Sequence, residues 1–396
     1  MSGDYARLVS ARTTPVLVDG ARTPIGRFQG ALASVPAVEL GAHAVRAALA
    51  RCPGLVPDYA IVGNVLQAAN GQNPGRQAAI LGGVRREVPG TTLNDVCLSS
   101  MSAVALAAGM VREREAECVL VGGFDSMTGA PHAVRLRPGR ASGDARLVDV
   151  MIHDGLWCQL SDAGMGSLSE QENARLGITR EAQDEFALRS HQRAAAATDS
   201  GRLAEEIEPF RTEEAELAED EGIRRDTSID RLSALPPAFA GEGTITAGNA
   251  SQISDGGAAA IVITREQAAG AGLEPLVEIG PRAVVAGPDS SLHLRPAEAV
   301  ERLLDRSGLA TSDVDLWEIN EAFAGVVLAS TQELGLDPDR VNVNGGAVAL
   351  GHPLAASGLR LVLTLAYELR RRGREHGVAA ICGGGGQGEA ILLRSV

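Results

Sequence analysis

The run Asp58-Tyr59-Ala60-Ile61-Val62-Gly63-Asn64 has an echo far down the chain, in Asp313-Val314-Asp315-Leu316-Trp317-Glu318-Ile319-Asn320. Both are short apolar stretches opened by aspartate and closed by asparagine, the pattern of a buried strand feeding a polar turn. Two more echoes follow. Asn94-Asp95-Val96-Cys97 opens a helical run of small residues, as does the segment around His352. Val119-Leu120-Val121-Gly122-Gly123 resembles Ala379-Ala380-Ile381-Cys382-Gly383-Gly384. The offsets are 256 (Asn64 to Asn320), 255 (Cys97 to His352) and 261 residues (Gly122 to Gly383). Three matches at nearly one spacing indicate two similar α/β halves packed against each other.

The halves differ in one place. Cys382 is followed by a glycine turn and at once by a predicted strand, Ala390–Leu393. The matching strand of the first half, Ala258–Thr264, comes more than a hundred residues after Gly123. We therefore expect an N-terminal half (1–126 plus 247–270), an inserted lobe (127–246) and a C-terminal half (271–396). A further strand is predicted at Pro15–Val18. Helices are predicted at Ala37–Ala50, at Thr179–Ala197 with Thr179 as N-cap, at Pro296–Ser307 and at Leu354–Arg372, the last two closed by Gly308 and Gly373. The charged stretch Glu205–Asp230 reads as solvated surface.

Composition narrows the function. Over 396 residues, 45% hydrophobic and 22% charged is a globular balance that excludes a disordered chain. A formal charge of −14 argues against a nucleic-acid partner. All 36 basic residues are arginine, so a lysine Schiff base is excluded. Cys52, Cys97, Cys118, Cys158 and Cys382 form no C-x-x-C pair, which speaks against a disulfide framework or a zinc site. No histidine–carboxylate spacing suggests another metal. No uninterrupted apolar run reaches the ~18 residues of a membrane span, and Met1–Thr14 lacks an export pattern. The expectation is a soluble cytoplasmic protein with no membrane span.

Four positions stand out for chemistry. Cys97, at the start of a predicted helix, has amide donors and a helix dipole that favour a thiolate; the alternative is an inert buried thiol. Asn320 ends a predicted strand, where it either projects into a site or caps the next helix. His352, between Gly351 and Pro353 at a loop-to-helix junction, suits thiol activation better than core packing. Cys382 runs into Gly383-Gly384-Gly385-Gly386, which is either a plain hairpin or a stretch that lets a ligand approach the main chain. Lacking the lysine of a P-loop, it is not a nucleotide-triphosphate site.

Taken together these motifs resemble the thiolase family of acetyl-CoA acetyltransferases and 3-ketoacyl-CoA thiolases. The resemblance runs from Ala21-Arg22-Thr23-Pro24-Ile25-Gly26 to the terminal glycines. It includes Gly63-Asn64-Val65-Leu66-Gln67, Gly122-Gly123-Phe124-Asp125-Ser126-Met127, Thr246-Ala247-Gly248-Asn249-Ala250-Ser251 and Asn320-Glu321-Ala322-Phe323-Ala324. It implies a five-layer αβαβα fold and a ping-pong acyl transfer with coenzyme A and acyl-CoA as substrates and no permanently bound cofactor. By the same resemblance Cys97 is the acyl-carrying nucleophile, His352 generates its thiolate, and Cys382 exchanges the α-proton. The backbone N–H groups of Cys97 and Gly384 would hold one oxyanion, and His352 with a water on Asn320 the other. Ser251, Ala250 and Met165 would line the pantetheine site, with Arg224 near the adenine end. Family members are homodimers or homotetramers.

Three positions depart from common relatives: Ser100 and Ala355 stand where many have glycine, and Gly164 where acetoacetyl-specific enzymes have histidine. The first two are expected to narrow the site; the third leaves chain length open. Two other readings compete. A ketoacyl-synthase-like condensing enzyme would not need Cys382, and a non-catalytic acyl-CoA or lipid binder would not need a second thiol.

Overall fold

Every residue of the strand Val119–Ser126 is buried, glycine and aspartate included. A strand reads this way only when both faces of its sheet are covered. The computed structural model describes residues 13–137, 144–213 and 216–396. The strands that place the site are β1 (Pro15–Arg22), β2 (Tyr59–Gly63), β3 (Gly90–Leu93), β4 (Val119–Ser126), β5 (Ser254–Thr264), β6 (Val277–Ala286), β7 (Leu316–Ile319), β8 (His376–Gly383) and β9 (Gln387–Arg394). The helices are α1 (Ala37–Arg51), α2 (Ser99–Glu113), α3 (Met165–Leu176), α4 (Arg180–Asp199), α5 (Arg295–Ser307), α6 (Ala324–Glu333) and α7 (Ser357–Arg372).

The strands form one path, β7-β8-β9-β6-β1-β5-β4-β2-β3, with Gly26–Arg27 beside β5 as the tenth strand of the sheet. In the first half β1–β5 and β5–β4 are antiparallel and β4–β2 is parallel. In the second, β6–β9 and β9–β8 are antiparallel and β8–β7 is parallel. The echoing segments of the sequence thus occupy matching strands. The halves join where Val16 pairs with Glu278 and Leu17 with Val277.

Alternation along the strands sets the layers. Val119 and Val121 face a central pair of helices, α2 and α7, together with Ile381, Ile391 and Leu393 of the second half. Leu120 points the other way, onto a cluster with Val45 of α1. Trp317, Val378 and Leu392 pack outward on α5 and α6. The result is helix, sheet, helix pair, sheet, helix, the expected five layers. Each fully buried Val, Leu or Ile contributes about 1.5–3 kcal/mol, so the two-sided packing is the main source of stability. Gly358 lets α7 lie close on α2, since a Cβ there would meet the Met101 amide nitrogen at 2.6 Å.

Three expectations change. One helical stretch, Val96–Glu113, has the length and hydropathy to cross a membrane, a property hidden from a count of uninterrupted apolar residues by Ser99, Ser100 and Ser102. It is the core helix between the sheets, with Met101, Val104 and Ala107 wholly enclosed. Leu354–Arg372 is not one helix: Leu354–Ala356 forms a 3-10 turn before α7 begins at Ser357. Nor is Glu205–Asp230 simply solvated. Glu206 and Asp220 are buried against Arg22 of β1, whose Nε donates to Glu206 Oε1 at 2.7 Å and whose other nitrogens donate to both Asp220 oxygens at 2.6 and 2.8 Å. Local charge density cannot reveal a partner nearly two hundred residues away.

Candidate active site

The loop from β3 to α2 carries Cys97. Val96, a β-branched residue, is held there at a φ of 49°, a strained conformation that turns the chain just before the nucleophile candidate. Cys97 stands two residues ahead of α2, as expected. Its predicted thiolate character is not realised at rest. Burial pushes the thiol up to about 12, with Asp125 and Asp95 adding to the rise, and this outweighs the Gly384 and Cys97 amides that favour the thiolate. Cys382, near the end of β8, lies close enough to sense the Cys97 charge; burial and Cys97 both hold it above its ordinary range.

His352 follows Gly351, and its amide donates to Gln252 O and Ser254 Oγ, both at 3.2 Å. Its ring is fixed by a residue that sequence reading missed. Ser357 Oγ lies 2.6 Å from His352 Nδ1 and 2.9 Å from Pro353 O. A carbonyl only accepts, so the Ser357 hydroxyl donates to Pro353 O and accepts from Nδ1–H. That leaves the Nε2 lone pair free to face Asn320, whose Nδ2 is 3.4 Å away. Burial, with a smaller effect from the Arg360 charge, lowers His352 to about 3, so the imidazole is neutral at rest.

Asn320 is not a helix cap: α6 begins four residues later with Phe323 at its N-cap position. Its amide hydrogen bonds to Ala380 O, which fixes it beside β8, and its Oδ1 is buried with no partner among the described residues. An unpaired buried acceptor inside a site costs stability and is retained where a ligand or water uses it.

The structure brings Gly384 and Cys382 to Cys97, and Asn320 to His352. Beside them opens a cavity of about 500 Å³, lined by Val96, Gly384, Met165, Trp157, Gln67 and Asn94. Ala250 pairs with Phe323, next to Asn320's strand end, and the Ser251 amide donates to Ala322 O. Cys382, Ala250, Phe323 and Met165 share one apolar cluster. Arg224 stands apart from the thiols. Its guanidinium donates to Ala247 O at 3.2 Å and its amide to His191 Nδ1.

Two expected constrictions do not materialise. Ser100 and Ala355 are fully buried and neither lines the cavity. Ser100 Oγ accepts from Leu359 N at 2.8 Å, capping the first turn of α7 from the facing helix, and Ala355 N donates to Asp125 Oδ2. Gly164 faces Trp157 across a hairpin pair, where an added Cβ would meet the indole at an ordinary 3.8 Å. The cavity is lined by the neighbouring Trp157 and Met165 rather than by Gly164 itself.

Two neighbouring thiols, a neutral imidazole with a free Nε2 and converging amide donors can carry thioester exchange: one sulfur holds the acyl group while the other moves a proton. Similarity to known proteins agrees with this class. Residues 15–267 match the family described as "Thiolase, N-terminal domain" and residues 273–395 that described as "Thiolase, C-terminal domain". A "Probable acetyl-CoA acetyltransferase" of Mycobacterium tuberculosis is 50% identical over 391 residues, covering 97% of this chain and 100% of that protein. The acetyl-CoA acetyltransferase of Escherichia coli is 42% identical, covering 96% of this chain and 98% of its own. The crystal structure of the Bacillus anthracis acetyl-CoA acetyltransferase superposes with a TM-score of 0.92 at 36% identity, covering 97% of this chain and 99% of that one. The chain belongs to the thiolase family and is an acyltransferase.

Proposed function

We propose that the protein catalyses the reversible condensation and thiolysis of 3-ketoacyl-CoA through an acyl-Cys97 intermediate, with acetyl-CoA as the two-carbon partner. The facing of Cys97 and Cys382 carries this reading, because a simple acyl carrier or binder has no use for a second buried thiol. The Cys97 proton passes to His352 Nε2 as the sulfur attacks the thioester carbonyl, and coenzyme A leaves with that proton. With the thiol held up and the imidazole held down, the transfer is made only as the new C–S bond forms. Cys382 gives its proton to the vacated His352 Nε2 and, as the thiolate, takes the α-proton of acetyl-CoA; the carbanion attacks the acyl-cysteine, and Cys97 departs and is reprotonated by His352. Thiolysis runs the same steps backwards. Ser357 steadies the imidazolium through Nδ1. Amide donors of Cys97 and Gly384 oppose charge on the acyl oxygen, and His352 with Asn320 the charge on the enolate oxygen; one such donor is worth about 10²–10³ in rate.

The 500 Å³ cavity supports 3-ketoacyl chains longer than acetoacetyl as well. Ser251, Ala250 and Met165 form the pantetheine wall in this reading, and Arg224 the adenine end. The division into an N-terminal half, a coenzyme-binding lobe at 127–246 and a C-terminal half is ours. Exposed Leu136, Leu147, Ile152 and Leu160 on that lobe support a homodimer or homotetramer. All five cysteines are free thiols, which supports a cytoplasmic setting.

The test is coenzyme A-dependent thiolysis of a 3-ketoacyl-CoA ladder from acetoacetyl-CoA upward. We expect turnover to vanish in Cys97→Ser. Cys382→Ser should still acylate Cys97 while losing at least ~10³ in C–C cleavage, as removal of a proton-transfer group does. Normal turnover in Cys97→Ser, or none in the wild type, rejects the reading.

A further inference from the structure

Asp125 is wholly buried near the end of β4, and its partners among the described residues are all neutral. Oδ1 accepts from Asn64 Nδ2 at 2.9 Å, Val65 N at 3.0 Å and Leu66 N at 2.9 Å; Oδ2 accepts from Ala355 N at 2.7 Å. A buried carboxylate without a cation is costly, and burial pushes Asp125 up to about 6 despite these bonds. An amide in its place has one acceptor oxygen, whereas four donors arriving from two directions need both oxygens of a carboxylate.

What those donors belong to gives the carboxylate its meaning. Val65 and Leu66 form the apolar wall against which Cys97 packs. Ala355 sits three residues after His352, in the 3-10 turn that leads into α7. The same turn rests on Gly123, where a Cβ would meet Ala355 O at 2.1 Å. One side chain of the first half thus ties the wall beside the nucleophile candidate to the turn that carries the histidine of the second.

We infer that Asp125 is a positioning residue for acyl transfer, setting the His352 turn against Cys97 and placing a fixed negative charge beside the thiol. The role rests on the thiolase reading. The titratable groups acting on Cys97 are Asp125 and Asp95, both holding the thiol protonated, with Cys382 a neutral thiol opposite. A resting nucleophile that keeps its proton is protected from oxidation and stray electrophiles until substrate arrives.

The experiment uses the full chain as wild type, Asp125→Asn and Asp125→Glu. It measures thiolysis kcat and KM, thermal midpoint, and the pH dependence of iodoacetamide alkylation at Cys97, read by peptide mass spectrometry. Asp125→Asn removes the charge and strands the Ala355 amide. We expect kcat to fall about 10–100-fold and alkylation at a fixed pH to rise about tenfold, a shift of roughly one pH unit to the acid side. Asp125→Glu keeps the charge but displaces the oxygens, so kcat should fall while the alkylation profile stays within about threefold of wild type. A purely structural role predicts a lower thermal midpoint with an unmoved alkylation profile in both, which overturns the inference. So does wild-type kcat in folded Asp125→Glu, and this arm decides the matter if Asp125→Asn does not fold. Absence of thiolysis in the wild type instead rejects the thiolase reading, and the alkylation arms still judge the coupling of Asp125 to Cys97.

Discussion

Asn64 and Asn320 occupy the same place in the two halves, each the first residue after a strand that pairs in parallel with its neighbour. Their side chains have diverged. Asn64 spends its amide hydrogens on Phe124 O and Asp125 Oδ1, bracing the first half. Asn320 turns its amide to His352, and in both residues the side-chain oxygen is buried with no partner among the described residues. A duplicated fold thus keeps one copy of a polar position for rigidity and releases the other for chemistry. The connections after β4 and β8 tell the same story: one holds the whole inserted lobe, the other a glycine hairpin that carries Gly384 to the thiols.

The comparison is broken or sharpened first by alanine at both asparagines. Asn320→Ala should lower kcat about 10²-fold with little change in melting temperature. Asn64→Ala should instead cost about 1–3 kcal/mol of stability, because it removes one of the donors to a buried carboxylate, with a much smaller fall in kcat once folded. Equal effects on rate would end the distinction.

His352 provides the next test. Its folded-state value of about 3 lies below the ordinary 6.5, so the folded chain refuses a proton that the unfolded chain accepts. Stability is therefore lost as pH falls below about 6.5. Relative to His352→Asn, the wild type should lose about 1.4 kcal/mol per pH unit between pH 6 and 4.5, read from urea midpoints. A pH-independent difference would show that the ring is solvated. The smallest effect is at the helix pair: Ser100→Ala should destabilise by about 1 kcal/mol through loss of the α7 cap, leaving KM unchanged. A changed KM would return Ser100 to the cavity wall.

Much of this was legible in sequence. The duplication showed because apolar runs and their terminal asparagines are local patterns, and Cys97, His352 and Cys382 stood out because helix starts, Gly-His-Pro and glycine runs punctuate the chain. Thr179 was readable as a cap and does accept from Ala182 N. What escaped was pairing at a distance. Asp125 meets Ala355 across 230 residues and Arg22 meets Asp220 across 198, and neither residue type announces a partner. Ser357 escaped for the opposite reason, since a serine at a helix start reads as an ordinary cap. The thiol of Cys97 misled as well, because a helix terminus is visible in sequence and the depth of burial that overrides it is not.

The first strand has a consequence for synthesis. Apart from a bridge between Arg22 and Ile207, the strand partners of β1 are residues 258–264 and 277–278, so on a ribosome most of it must wait for some 240 further residues to be made. At about 5–20 residues per second that is tens of seconds with an unpaired apolar edge. The strands of the second half all lie between residues 277 and 394 and find one another within a single short stretch of chain. The half that is translated last is thus the one whose sheet closes with least delay, and nascent β1 is where a chaperone would be needed most.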